Sequence, residues 1–103
     1  MTRPVVFTPE AQDDLLDLYD YIADRGSPSR ALHYVERIEE TCMSLSILPE
    51  RGTRCDDLRA GLRVMGFEHR ESIAFQVRAE SVAVLRILYG GRSVELAFPS
   101  DAI

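Results

Sequence analysis

A chain of 103 residues, 46% hydrophobic and 28% charged, suffices for one hydrophobic core and has too many apolar residues for a disordered segment. No apolar run approaches the length of a membrane span and the N-terminus has no signal-peptide pattern, so the expected compartment is the cytoplasm. A net charge of −5 argues against broad attraction to nucleic acid, where affinity rests on neutralising phosphates.

Val5-Val6-Phe7 is a short β-type run. Thr8-Pro9-Glu10 follows at once and reads as a helix start: a capping hydroxyl, proline at the first helical position, an acid in the first turn. Ala11, Leu15, Tyr19, Ile22 and Ala23 then recur at helical spacing, with Asp13, Asp14, Asp17 and Asp20 largely off that stripe. Gly26 ends the helix and Ser27-Pro28 starts a second by the same device. Its apolar stripe is Ala31, Tyr34, Val35, Ile38, Cys42 and Leu45. So short a connection implies an antiparallel helical hairpin. This half holds most of the net charge: residues 9–45 carry nine acids and three bases, whereas residues 49–101 carry eight of each.

Pro49 to Gly61 reads as a polar loop. Three strands follow, Leu62 to Phe67, Ser72 to Val77 and Val82 to Leu88, with short polar connections that favour antiparallel pairing. Ile73, Phe75 and Val77 alternate with smaller or polar residues, so that strand has one more buried face. The last strand is apolar almost throughout, as a central strand covered on both faces would be. The expected fold is a single α+β domain over residues 1–103, ordered β-α-α-β-β-β, with the helical hairpin on one face of a small, mainly antiparallel sheet. The stripes of both helices should pack on Ile73, Phe75 and Val84 or Leu85, with Leu15 fully buried.

Little in the chain suggests catalysis. Cys42 and Cys55 lie thirteen positions apart with no CxxC spacing, and neither pairs with His33 or His69 at zinc-ligand spacing. Gly90-Gly91 lacks the pattern of a phosphate loop, so no cofactor or metal is expected. The arginines are better candidates. All twelve basic residues are arginine, which an arginine-favouring genome would produce, but whose planar fork also suits recognition surfaces. Arg86 stands inside an apolar strand, and strict alternation places it with Val82, Val84 and Leu88. A lone buried guanidinium is costly. Two readings follow: an internal pair with an acid such as Asp56, Asp57 or Glu71, or a place on an open sheet face that Tyr89 and Arg92 extend.

The chain as a whole resembles the RelE/ParE superfamily of small bacterial toxins from type II toxin–antitoxin systems. The similarity runs through VVFTPEAQDDLLDLYDYIAD, LPERGTRCDDLRAGLRVM and SIAFQVRAESVAVLRILYGGR, in that order. Arg86 stands at the family's arginine, Tyr89 at its usual histidine, and Arg92 at one of the basic residues that follow. RelE-like members cut mRNA on the ribosome without a metal, using basic residues and commonly a C-terminal tyrosine. ParE-like members share the fold but poison DNA gyrase. Phe98 stands where that tyrosine would align and has no hydroxyl for proton transfer; lysines, which nuclease members also use, are absent.

The resemblance therefore implies a ParE-like toxin of a plasmid-stabilisation system, with no catalytic residue assigned. Arg63, Arg86, Tyr89 and Arg92 would carry target binding. Leu15, Tyr19, Tyr34, Phe75, Leu96 and Phe98 would receive a ParD-like ribbon-helix-helix antitoxin, whose docking segment folds as it binds. The antitoxin, not this chain, would read DNA. The alternatives are a ribosome-dependent endoribonuclease of RelE type, relying on Arg63, Arg86 or Tyr89, and a non-toxic member that only binds an antitoxin.

Overall fold

The computed structural model describes residues 2–90 and 92–98. Elements run in the order β1 (Val5–Phe7), α1 (Pro9–Arg25), α2 (Pro28–Met43), a 3₁₀ turn at Ser44–Ser46, β2 (Thr53–Arg54), β3 (Leu62–Phe67), β4 (Glu71–Val77), β5 (Val82–Leu88) and α3 (Val94–Ala97). The five strands form one sheet in the order β1-β5-β4-β3-β2, antiparallel except for the β1–β5 pair. The fold is thus the α+β, β-α-α-β-β-β arrangement expected, with one two-residue strand inside the predicted loop and a short terminal helix added.

The caps explain the helix starts. Ala11 N–H donates to Thr8 Oγ1 at 3.2 Å, and Arg30 N–H donates to Ser27 Oγ at 3.2 Å. Thr8 does a second job: its N–H donates to Val84 O (3.0 Å) and its hydroxyl to Leu85 O (2.9 Å), which ties the head of α1 to β5. At the other end of the sheet Gly52 adopts φ +77°, and a Cβ there would lie 2.4 Å from Val64 O, so this loop position admits only glycine.

The sheet is covered on both sides. Against the helices, Ile73, Phe75, Val84 and Ile87 pack on Leu18, Ile38, Cys42 and Leu45. On the opposite side Leu62, Ala74, Ala83 and Leu85 form a second cluster with Phe98, lined by Leu58, Val64 and Val94. Packing on the two sides corrects two expectations. Phe75 is fully buried and Phe98 is 6% exposed, so neither can receive an antitoxin without unpacking. Phe98 is the apolar lid that a sheet with one free face would otherwise lack, and Arg59 lies over its ring, 5.2 Å from the centroid.

The stripe of α2 is as the periodicity predicts. That of α1 is rotated: its buried residues are Ala11, Asp14 and Leu18, with Leu15 and Ile22 only partly covered and Tyr19 further out. The helix turns a carboxylate inward, and Leu18 rather than Leu15 becomes the core leucine. We expect Leu18→Ala to cost about 2–5 kcal/mol, and the exposed Leu16→Ala to stay within about 0.5 kcal/mol of wild type, as read from denaturant unfolding.

The β3–β4 connection is tighter than its charged sequence suggests. Arg70 N–H donates to Phe67 O at 3.1 Å, and the two central residues, Glu68 and His69, both have positive φ (49° and 60°). This is the hairpin turn that normally takes Asn-Gly. Glu68 is held by an ion pair to Arg37 of α2. Replacing His69 by glycine removes a left-handed backbone cost of about 1 kcal/mol, so His69→Gly should raise the melting temperature.

Candidate functional site

The first feature that decides what this surface can do is a carboxylate at the edge of β5. β1 pairs with β5 only through Val82, Ala83 and Val84, and beyond that point the outer edge of β5 has no strand beside it. Asp14 fills the gap. Its Oδ2 accepts from Ile87 N–H at 2.8 Å and from Arg86 Nε at 2.7 Å, while Oδ1 accepts from Arg86 Nη2 at 3.0 Å. Asp14 is 3% exposed and the Arg86 side chain 28%. The hydrogen bond to Asp14 pushes the Arg86 guanidinium above its ordinary range, against the opposing effect of burial.

Arg86 is therefore not a side chain waiting on an open face. It is the internal pair of the first reading, and its partner is Asp14 rather than Asp56, Asp57 or Glu71. Strict alternation also fails here. Ala74 pairs with Arg86 but Phe75 with Val84, so Leu85 is an extra residue, a bulge, on β5. After it the alternation shifts by one, and Ile87 and Tyr89 face the helices with Val82 and Val84.

That shift delivers Tyr89 into the second feature, a cleft of about 470 Å³ between the helical hairpin and the ends of β4 and β5. Leu18 and Ile22 form its apolar part, Tyr21, Tyr34 and Tyr89 its aromatic walls, and Arg30, Arg70 and Glu71 its charged groups. Tyr21 and Tyr89 meet at a centroid distance of 5.6 Å, tilted by 59°. Arg25 lies 3.7 Å above the Tyr21 ring and Arg92 4.3 Å above that of Tyr89. Deeper in, the Tyr34 hydroxyl donates to Glu71 Oε1, and Tyr34 packs edge-on against Phe67. Burial pushes the Glu71 carboxyl up, opposed by the Tyr34 hydrogen bond; burial first, then Glu71, pushes the Tyr34 phenol up as well.

The third feature is a groove of about 440 Å³ along the outer side of the helical hairpin, lined by Phe7, Leu15, Leu16, Tyr19, Leu32 and Val35 among others. Leu16 and Leu32 are 65% and 52% exposed, and because they share one groove with Leu15 and Val35 they form an apolar patch of the kind that marks an interaction site.

The predicted residues thus separate into several places. Tyr89, Arg92 and Tyr34 belong to the cleft; Leu15 and Tyr19 belong to the helical groove; Leu96 is exposed on α3. Arg63 stands apart, in register with Phe75 on β3, donating to Arg51 O at 3.4 Å beside Glu50 and Arg54. Sequence reasoning missed Tyr21, Arg25, Arg30 and Arg70. The i, i+4 spacing of Tyr21 and Arg25 was the available signal for one such pair. Among the described residues no group of three histidine, cysteine or acidic side chains is placed to hold a metal ion, and no helix is long and apolar enough to cross a membrane.

The fold is an α+β helical hairpin laid on a five-stranded, mostly antiparallel sheet, with an arginine-tyrosine cleft at the strand ends and an apolar groove on the hairpin. The family described as ParE toxin of type II toxin-antitoxin system, parDE, matches residues 5–94. A solved structure titled "Chromosomal ParDE TA system from P. aeruginosa" is similar to the chain at 26% identity and a TM-score of 0.75, covering 85% of this chain and 96% of its own. No curated protein matches. The chain belongs to the ParE toxin family.

Loss of the Asp14 carboxylate would strand both a guanidinium and a strand N–H. Asp14→Ala should cost about 3 kcal/mol, the low end for breaking a buried pair because Arg86 keeps part of its surface in water. Chemical denaturation would measure it, and a cycle with Arg86→Met should show the two changes to be strongly non-additive.

Proposed function

We propose that this chain is a toxin that acts in the cytoplasm by binding DNA gyrase, and that a ParD-like ribbon-helix-helix antitoxin neutralises it. The observation that carries the choice of target over mRNA cleavage is the Asp14–Arg86 pair. An arginine that must stabilise a transferring phosphate needs its donors free to meet the transition state. Here the Nε and Nη2 donors of Arg86 are already held by a buried carboxylate. Tyr89 is 8% exposed with Arg92 over its ring, Arg63 stands apart on β3, and Phe98 offers no hydroxyl, so these residues do not converge on one reacting atom. This supports a toxin that works by docking.

The surfaces for two partners are distinct. The groove holding Leu15, Tyr19, Leu16 and Leu32 fits an amphipathic segment that becomes ordered on binding, which favours it as the antitoxin's seat. Tyr89 and Arg92 at the strand end, with Arg63 as an outlying contact, remain for the target. Leu96 on α3 is exposed enough to contribute to either.

The test is induction of the chain alone in a bacterial host, together with a supercoiling assay using purified gyrase. Filamentation with an SOS response, loss of supercoiling activity, and relief by a co-expressed antitoxin are expected. Cleaved messenger RNA and immediate arrest of translation would replace this reading with the ribonuclease one. Normal growth with soluble, folded protein would leave only antitoxin binding.

A further inference from the structure

The chain has seventeen acidic and twelve basic residues, so an arginine here has no shortage of carboxylates to meet. Among the described residues the ion pairs are Arg37–Glu68, Arg54–Asp56 and Arg86–Asp14; of the nine arginines outside them, Arg25, Arg30, Arg70 and Arg92 are set apart by their position. All four are exposed, and all four gather at one cleft: Arg30 and Arg70 line it, while Arg25 and Arg92 lie on the rings of Tyr21 and Tyr89 that wall it. Such a cationic rim on an acidic protein attracts a negative group to the cleft mouth.

The interior is of another kind. Leu18 and Ile22 make it apolar, and Glu71 supplies an acceptor at depth. Only Oε1 of that carboxylate receives a hydrogen bond, from Tyr34. Oε2 accepts none among the described residues, and it is not sealed from solvent either, so it is reached through the cleft. The cleft therefore asks for a ligand with three properties: an anion for the rim, a flat apolar body for the tyrosine-walled interior, and an N–H donor at its inner end. Its volume, about 470 Å³, lies in the range of sites that hold small molecules.

We propose that this cleft binds a nucleoside phosphate, with the phosphate among Arg30, Arg70 and Arg92, the base against Leu18, Ile22 and the Tyr34 ring, and an exocyclic amino group on Glu71. An inorganic anion would use the rim alone. A plain aromatic compound would leave both the arginines and Glu71 unanswered. The nucleotide could be free or the phosphorylated end of a single strand. The inference is independent of the toxin reading and stands even where the chain has no effect on growth.

The full-length protein can be titrated with AMP, GMP, CMP, UMP and inorganic phosphate, following backbone amide shifts by NMR. Shifts confined to Tyr21, Arg30, Arg70, Glu71 and Tyr89 and their neighbours are expected. UMP, whose base has no amino group, should bind roughly tenfold more weakly than AMP, the loss of about one charged hydrogen bond, and inorganic phosphate, which lacks the apolar body as well, more weakly still. Arg70→Ser, an exposed change that leaves the core intact, should weaken every nucleotide roughly tenfold for the same reason. Glu71→Gln should abolish the preference for amino-bearing bases. A 5′-phosphorylated trinucleotide separates the sources: shifts that extend beyond the cleft with tighter binding indicate a strand end, and affinity equal to the mononucleotide indicates a free one. No shifts with any nucleotide at millimolar concentration overturn the proposal. So do shifts away from the cleft, or affinities that Arg70→Ser leaves unchanged in a protein that still melts cooperatively.

Discussion

Asp14 joins α1 to β5 at the point where the β1 ladder stops. A seven-residue strand lies beside a three-residue one, which leaves the N–H of Ile87 facing outward from the sheet. An unpaired N–H in a buried strand is costly, and water reaches poorly under a helix. The helix that follows β1 supplies the acceptor from its own side chain, four positions after Glu10, and so continues the ladder that β1 abandons. A carboxylate at 3% exposure then needs a counter-charge, and Arg86, one residue before Ile87, provides it in two parallel hydrogen bonds. The arginine in an otherwise apolar strand is thus the consequence of the short β1.

The same junction sets the geometry of the cleft. The bulge at Leu85 lets Arg86 reach toward α1 while Leu85 stays in the second core with Phe98. Past the bulge the strand presents Ile87 and Tyr89 to the helices instead of Arg86 and Leu88. Without the extra residue, Tyr89 would fall on the opposite side from Tyr21, and the Arg25–Tyr21–Tyr89–Arg92 stack could not form. A structural pair and a surface cleft are therefore linked through one inserted residue.

This link explains what was legible in the sequence. Element spans come almost entirely from local chemistry: Thr8-Pro9 and Ser27-Pro28 cap the helices, and β1, β3 and β5 begin and end where the apolar runs do. Which side each residue faces is another matter. A bulge has no signature in a strand where nearly every residue is apolar, so period-two counting continued through Leu85 and put Arg86 and Tyr89 on the wrong sides. Asp14 falls off the α1 stripe by periodicity alone, and nothing local marks it as buried, because its partner lies 72 positions away. The cleft suffered for the same reason. Its arginines come from α1, α2, the β3–β4 turn and the segment after β5, and only the fold brings them together. Phe98 was judged by the hydroxyl it lacks, whereas its ring serves as cover for the second cluster.

Two-sided coverage also limits where partners can act. Most of the apolar centre of the sheet is occupied, by the hairpin on one side and by Phe98, Leu58 and Val94 on the other. Nor are the sheet edges inviting: β1 is three residues long, and β2 is two residues with an arginine. A protein of this size that works through others must then use its rims. The helical groove offers mainly apolar area with Glu39 as its charged lining residue, suited to a segment that folds as it binds. The strand-end cleft offers cations and rings, suited to something anionic and compact. The division follows from burial: with the sheet covered on both sides, the two surfaces left differ in chemistry, and two surfaces that do not resemble each other select different partners.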